Sequence, residues 1–135
     1  MVVRARNRYR EVDNAGSVTG RSPIELILLV YDRIADKLLV AEAAIDSNRA
    51  DLLGIAIGEA IDLISQGLLA ALDYERGGEV ATNLGSIYDY SLRRLLYANL
   101  RKDVEAVREI ADLLTGLREA WVSIQQGASP GQTPG

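Results

Sequence analysis

A chain of 135 residues has room for one hydrophobic core, and 48% hydrophobic with 25% charged residues is the composition of a folded domain. It contains no Cys and no His, which excludes a disulfide framework, a thiolate zinc site, a cysteine nucleophile and the carboxylate–histidine metal site of helical bundles. A formal charge of −4 has the wrong sign for a protein built to hold nucleic acid or an anionic lipid surface.

Residues 1–21 read as an N-terminal arm. Arg4, Arg6, Arg8 and Arg10 surround no apolar stretch, so the start is not a secretory leader and the expected location is cytoplasmic. Tyr9 and Val12 are the hydrophobic anchors of an otherwise polar segment, which suits a weakly held, displaceable lid. Ser22-Pro23-Ile24-Glu25 then opens a helix: Ser22 as N-cap, Pro23 at the first helical position and Glu25 completing a capping box. Ile24, Ile27, Tyr31, Ile34, Leu38, Ala41 and Ile45 recur at steps of three and four along one face. Asp46-Ser47-Asn48 is the expected break.

A second helix is expected from about Asp51 to Tyr74, with Leu53, Ile57, Ala60 or Ile61, Ile64, Leu68 and Leu72 inward and Gly77-Gly78 as its terminator. Gly54, Gly58 and Gly67 each cost a helix about 1 kcal/mol relative to Ala, and close approach of a neighbouring helix or of a ligand backbone accounts for them. The third helix, about Glu79 to Leu100, turns Val80, Leu84, Ile87, Ser91, Leu95 and Ala98 inward. Asp103 caps a fourth, whose stripe is Val104, Val107, Ile110 or Ala111, Leu114, Leu117, Trp121 and Ile124. Short connections make consecutive helices antiparallel, so residues 22–125 are expected to close as an all-α, up-down four-helix bundle. Residues 126–135, rich in Gly and Pro, read as a disordered tail.

The apolar content exceeds what one core needs. The first helix opens Ile24, Leu26, Ile27, Leu28, Leu29, Val30 and Tyr31, and the second adds Leu52, Ile55, Leu63 and Leu69 beyond its own stripe. Some of that surface must be covered by a partner, a second copy or the arm, and a large exposed apolar patch marks a binding site. Tyr90, Arg94 and Tyr97 share another face of the third helix, and Tyr and Arg are the residue types that dominate interface hot spots. The competing, purely structural reading pairs Asp89 with Arg93 on the helix surface. Tyr88 falls on the face nearer the core. Carboxylates are frequent, yet no histidine, nucleophile elbow or phosphate loop accompanies them. The chain is therefore read as a non-enzyme, without metal or other cofactor.

The stretch from Leu72-Asp73-Tyr74-Glu75-Arg76-Gly77-Gly78 through Asn83-Leu84, then Tyr88-Asp89-Tyr90-Ser91-Leu92-Arg93-Arg94-Leu95 and Ala98-Asn99-Leu100-Arg101-Lys102-Asp103, resembles the FliS family of flagellar secretion chaperones. The YDYxxRRL and ANxxxD signatures stand in register, and Ser22-Pro23 with Leu29-Val30-Tyr31-Asp32 resembles the family's start of helix one. Tyr9 and Val12 resemble its N-terminal YxxV element. Arg33 departs from the pattern, standing where many members carry Gly.

The resemblance implies a cytoplasmic export chaperone that binds the disordered C-terminal segment of flagellin, prevents its premature polymerisation and delivers it to the flagellar type III export gate. It also implies an arm able to occupy part of the flagellin groove. Tyr9, Val12, Ile27, Leu28, Tyr31, Leu69, Leu72, Tyr90, Arg94 and Tyr97 are the expected partner-binding residues. Two alternatives come from the residues alone: a homodimer or other self-associating bundle that covers its own apolar surface, and a carboxylate-bridged metal enzyme.

Overall fold

A computed structural model describes residues 22–127 of the chain; Tyr9, Val12 and the rest of the arm, and the last eight residues, lie outside the described part. Four helices follow one another: α1 (Pro23–Asp46), α2 (Ala50–Asp62, continued by a π-helical stretch Leu63–Leu69), α3 (Tyr74–Arg101) and α4 (Val104–Gln125). No strand occurs among the described residues.

Local chemistry sets the ends. Ser22 Oγ accepts the Glu25 backbone N–H at 3.2 Å, with Pro23 in the first turn as expected. α1 stops where Asn48 takes a left-handed conformation, φ 56°. Asp103 caps α4 through the N–H groups of Glu105 and Ala106. Asp73 does the same for α3, accepting from Glu75 and Arg76.

That last cap corrects the expected end of the second helix. The helix does not run on to Tyr74: its final turns widen to the π form, the chain turns at Ala70–Ala71, and Asp73 starts a new helix four residues before Gly77. Gly77-Gly78 does not terminate anything. Gly78 is a break inside α3, at φ 50° and ψ −125°, so that Tyr74–Gly77 is a single capped turn set at an angle to the rest.

Ion pairs show how the rods are arranged. Lys37 meets Glu59 between α1 and α2 at 2.8 Å, Arg118 meets Asp32 and Arg108 meets Glu42 between α4 and α1, and Arg94 meets Glu109 between α3 and α4. α3 also packs on α2, chiefly on its π segment. Each helix thus borders its sequence neighbours and α4 returns beside α1, an antiparallel up-down ring. Among the described residues no ion pair joins α2 to α3.

Ile34, Leu38, Leu53, Ile57, Ile64, Tyr88, Leu95, Val107 and Ile110 are the largest apolar groups sealed inside, with Ala41, Ala60, Ala98 and Ala106 letting backbones approach. Ser91 is equally buried and satisfies its hydroxyl on the Ile87 carbonyl at 2.8 Å. Val80 does not turn inward; it is 66% exposed. The reason is the returning segment, which lies over Ala81 and Gly85, about 100° or more around α3 from Val80 at 3.6 residues per turn. Ala81 and Gly85 are buried in its place.

Gly54 and Gly58 also differ from expectation. A Cβ built at either would meet nothing within 4 Å, so neither glycine is there to admit a neighbouring helix. By length and composition Ala50–Leu69 could cross a membrane, with a mean hydropathy of 1.6. In this fold it is a rod of the bundle whose inner face is the core just described.

Candidate functional site

The residues singled out from the sequence fall into three groups. The first sits inside. Leu28 is buried, and Tyr31 is 3% exposed within the core cluster, where its hydroxyl is reached from α3 and α4. Neither side chain is on the open surface of the described fold. The Tyr31 hydroxyl lies 2.6 Å from that of Tyr88 across the bundle and accepts the indole N–H of Trp121 at 3.2 Å. Burial raises the pKa of Tyr31, reinforced by Tyr88, and burial also raises that of Tyr88. Both phenols are neutral in the fold, and their cluster ties α1, α3 and α4 together.

The second group is on the outside of α3. Tyr90 donates its hydroxyl hydrogen to Glu109, and Arg94 Nε donates to the other oxygen of the same carboxylate at 2.9 Å. Arg94 also stacks over the ring of Tyr97, 4.9 Å from its centroid, with Arg101 at 5.7 Å from the same ring. The Tyr90 hydrogen bond, then the Arg94 guanidinium, hold Glu109 below the usual carboxylate range, and Glu109 in turn raises both partners. The structural alternative is present as well: Arg93 pairs with Asp89 at 3.5 Å. Tyr90 and Glu109 edge a shallow groove of about 570 Å³ between α3 and α4, floored by Ile87 and Leu113 and edged by Asp112.

The third group, Ile27, Leu69 and Leu72, is half-buried against the core. Leu69 ends the π segment and Leu72 lies on the link to α3.

The open apolar surface is elsewhere. Leu52 and Ile55, expected as excess, are exposed, the latter at 58%. Leu39 and Val40 on α1, and Leu96 and Leu100 on α3, are exposed too, Leu100 at 82%. Sequence reasoning missed these four. The signal existed: Leu96 and Leu100 lie one turn apart and roughly opposite the Ser91–Leu95–Ala98 stripe. Near Gly54 and Gly58 the outside of α2 is unobstructed. The surface thus offers large aliphatic and aromatic contacts and an aromatic–guanidinium–carboxylate cluster. Among the described residues no three potential metal-ligating side chains converge. Such a surface is rich in the residue types that dominate binding interfaces.

Comparison with known proteins agrees with the motifs. The family model "Flagellar protein FliS" matches residues 5–128. The chain is 41% identical over 121 residues to the flagellar secretion chaperone FliS of Salmonella typhimurium, covering 90% of each protein. It is 35% identical over 122 residues to the flagellar secretion chaperone FliSB of Pseudomonas aeruginosa, covering 90% of this chain and 96% of the relative. Against FliS of Escherichia coli it is 34% identical over 113 residues, or 84% and 83% of the two chains. With its signatures in register, its four antiparallel helices and a match spanning nearly its whole length, the chain belongs to the FliS family of flagellar secretion chaperones.

Proposed function

We propose that this chaperone binds the disordered C-terminal segment of flagellin in the cytoplasm, keeps it from polymerising early and hands it to the flagellar type III export gate, without catalysing a reaction. The observation that carries the reading is the apolar surface left outside a finished core, with Leu96 at 53% and Leu100 at 82% exposure on α3 and Leu39, Val40, Leu52 and Ile55 on α1 and α2. A soluble monomer seldom leaves so many large aliphatic groups open unless a partner covers them. A disordered client suits such a surface, since its apolar anchors can fold as short amphipathic helices against it. Its ordering cost keeps the complex releasable, as hand-over requires. Tyr90, Arg94, Tyr97, Leu69, Leu72 and Ile27 belong to this binding surface in our reading. Leu28 and Tyr31 support it from inside, and Tyr9 and Val12 cover part of it in the free chain.

The test is a titration of a flagellin C-terminal segment into the purified chain, followed by calorimetry, with Leu96→Glu and Leu100→Glu as variants. Each should weaken binding about tenfold or more, of the order expected for losing an interface anchor. Far-ultraviolet circular dichroism should stay that of the parent, because both side chains already face water. Unchanged affinity in the double variant would refute the assignment of this face.

A further inference from the structure

The link between α2 and α3 is bracketed by two departures from regular helix. On one side is the π-helical stretch Leu63–Leu69, a form that occurs mostly as short pieces at functional positions. It ends loosely: Ala71 and Leu72 donate to the carbonyls of Leu68 and Leu69 over 3.3 Å each. On the other side is Gly78, whose φ of 50° with ψ of −125° is open only to glycine. Between them, Asp73 caps the turn Tyr74–Gly77 by itself, with the Gly77 N–H bonded to the Asp73 carbonyl at 2.8 Å. The segment is therefore a small internally satisfied body joined to the bundle at two soft points and anchored by Leu72, which is half-buried against the core.

What seats it is close contact with α3. Gly85 is buried, and a Cβ built on it would come within 2.9 Å of the Tyr74 hydroxyl oxygen and 3.5 Å of Leu72 Cδ1. A Cβ on Gly77 would come within 2.7 Å of the Ala81 Cβ. The small residues Ala81 and Gly85 thus form a furrow into which the segment settles, while Tyr74 as a residue remains 53% exposed. A side chain half in water, with only its far end against the furrow, is a light latch.

We propose that Ala70–Gly77 is a hinged strap, latched by Tyr74 on Gly85 and pivoting at Gly78, whose closure limits access to the client-binding surface beside Leu69 and Leu72. What the strap admits rests on the function proposed above; its movement does not. Opening exposes the Ala81–Gly85 furrow and turns Leu72 outward, so the open state presents a longer apolar track. If only a fraction of molecules is open, the apparent client affinity is lowered by that fraction.

The test uses the full chain. Gly85→Ala displaces the far end of Tyr74 while adding a better helix former, and Tyr74→Ala removes the latch without touching α3. Amide hydrogen exchange at Ala71–Gly77 should accelerate about tenfold in both variants, with the amides of Ile34, Leu95 and Ile110 unchanged. Because the chain has no Cys, Ala71→Cys with Asp36→Cys gives a clean spin-label pair, and both variants should show a longer distance population. The flagellin C-terminal segment should bind both variants several-fold more tightly. Unchanged exchange and distances in both variants would overturn the strap, as would exchange that accelerates equally in strap and core. A moving strap with unaltered flagellin affinity would overturn its gating role. A parent chain that fails to bind the segment would refute the client reading and the gate with it, whereas the exchange and distance measurements on the free chain judge the strap by itself.

Discussion

Tyr31, Tyr88 and Trp121 bring three hydrogen-bond donors and two hydroxyl acceptors into a nearly dry site, with Tyr31 touching both of the others. Tyr31→Phe loses two hydrogen bonds and Tyr88→Phe loses one. The first should cost about 2 kcal/mol and the second about 1 kcal/mol, measured by urea unfolding followed through the single Trp. The cluster also carries a pH signature. Burial raises both phenol pKa values above the ordinary 10.0, so the folded chain keeps protons that the unfolded chain gives up. The stability contributed is complete below pH 10 and is lost as pH climbs above it. Alkaline unfolding should therefore begin near pH 10, and the Tyr31→Phe, Tyr88→Phe double variant should lose most of that dependence. Sequence spacing put Tyr88 toward the core, but nothing in it paired residues 57 positions apart. Tyr31 stood both in the inward stripe of the first helix and among the expected partner-binding residues, because an aromatic at the end of an apolar run reads the same whether a neighbour covers it or not.

Caps were the most legible elements, since a Ser, Asp or Pro acts on the N–H groups two and three residues away. Ser22 and Asp103 lie where the pattern put them. The π stretch and the Gly78 break were not legible: the π stretch forms where the chain packs against α1 and α3, and propensity rates Gly-Gly only as a stop. Two glycine substitutions should separate these cases. Gly78→Ala, forced to hold φ 50° with a Cβ, should cost about 1–3 kcal/mol. Gly54→Ala, in open space within α2, should gain up to about 1 kcal/mol by helix propensity. Thermal unfolding of the two variants reads both signs, and equal effects would mean that Gly78 relaxes out of its strained conformation at little cost.

As a whole molecule the chain closes a core with four rods and leaves aliphatic groups over. Two occupants compete for that surface. A chaperone forms a heterocomplex with the flagellin segment; a self-covering bundle pairs with its own copy and ignores flagellin. Size-exclusion chromatography with light scattering should show a mass gain of one client on adding the segment. A symmetric dimer unchanged by flagellin would favour the structural alternative. Removing Met1–Val18 should tighten client binding, because a covering arm competes for the same anchors; weaker binding would make the arm part of the site instead.

The sequence by itself determined the helical class, the number of rods, most of their inward stripes and the family, because periodicity, capping and signature motifs are local and survive without knowing any neighbour. Beyond Leu52 and Ile55, only the tertiary structure decided which apolar residues were in excess. Tyr31 vanishes into the core between α1, α3 and α4, whereas Leu96 and Leu100 stay exposed. Exposure is a property of what lies across from a side chain, and that is fixed by how the rods are set beside one another rather than by the pattern along any one of them.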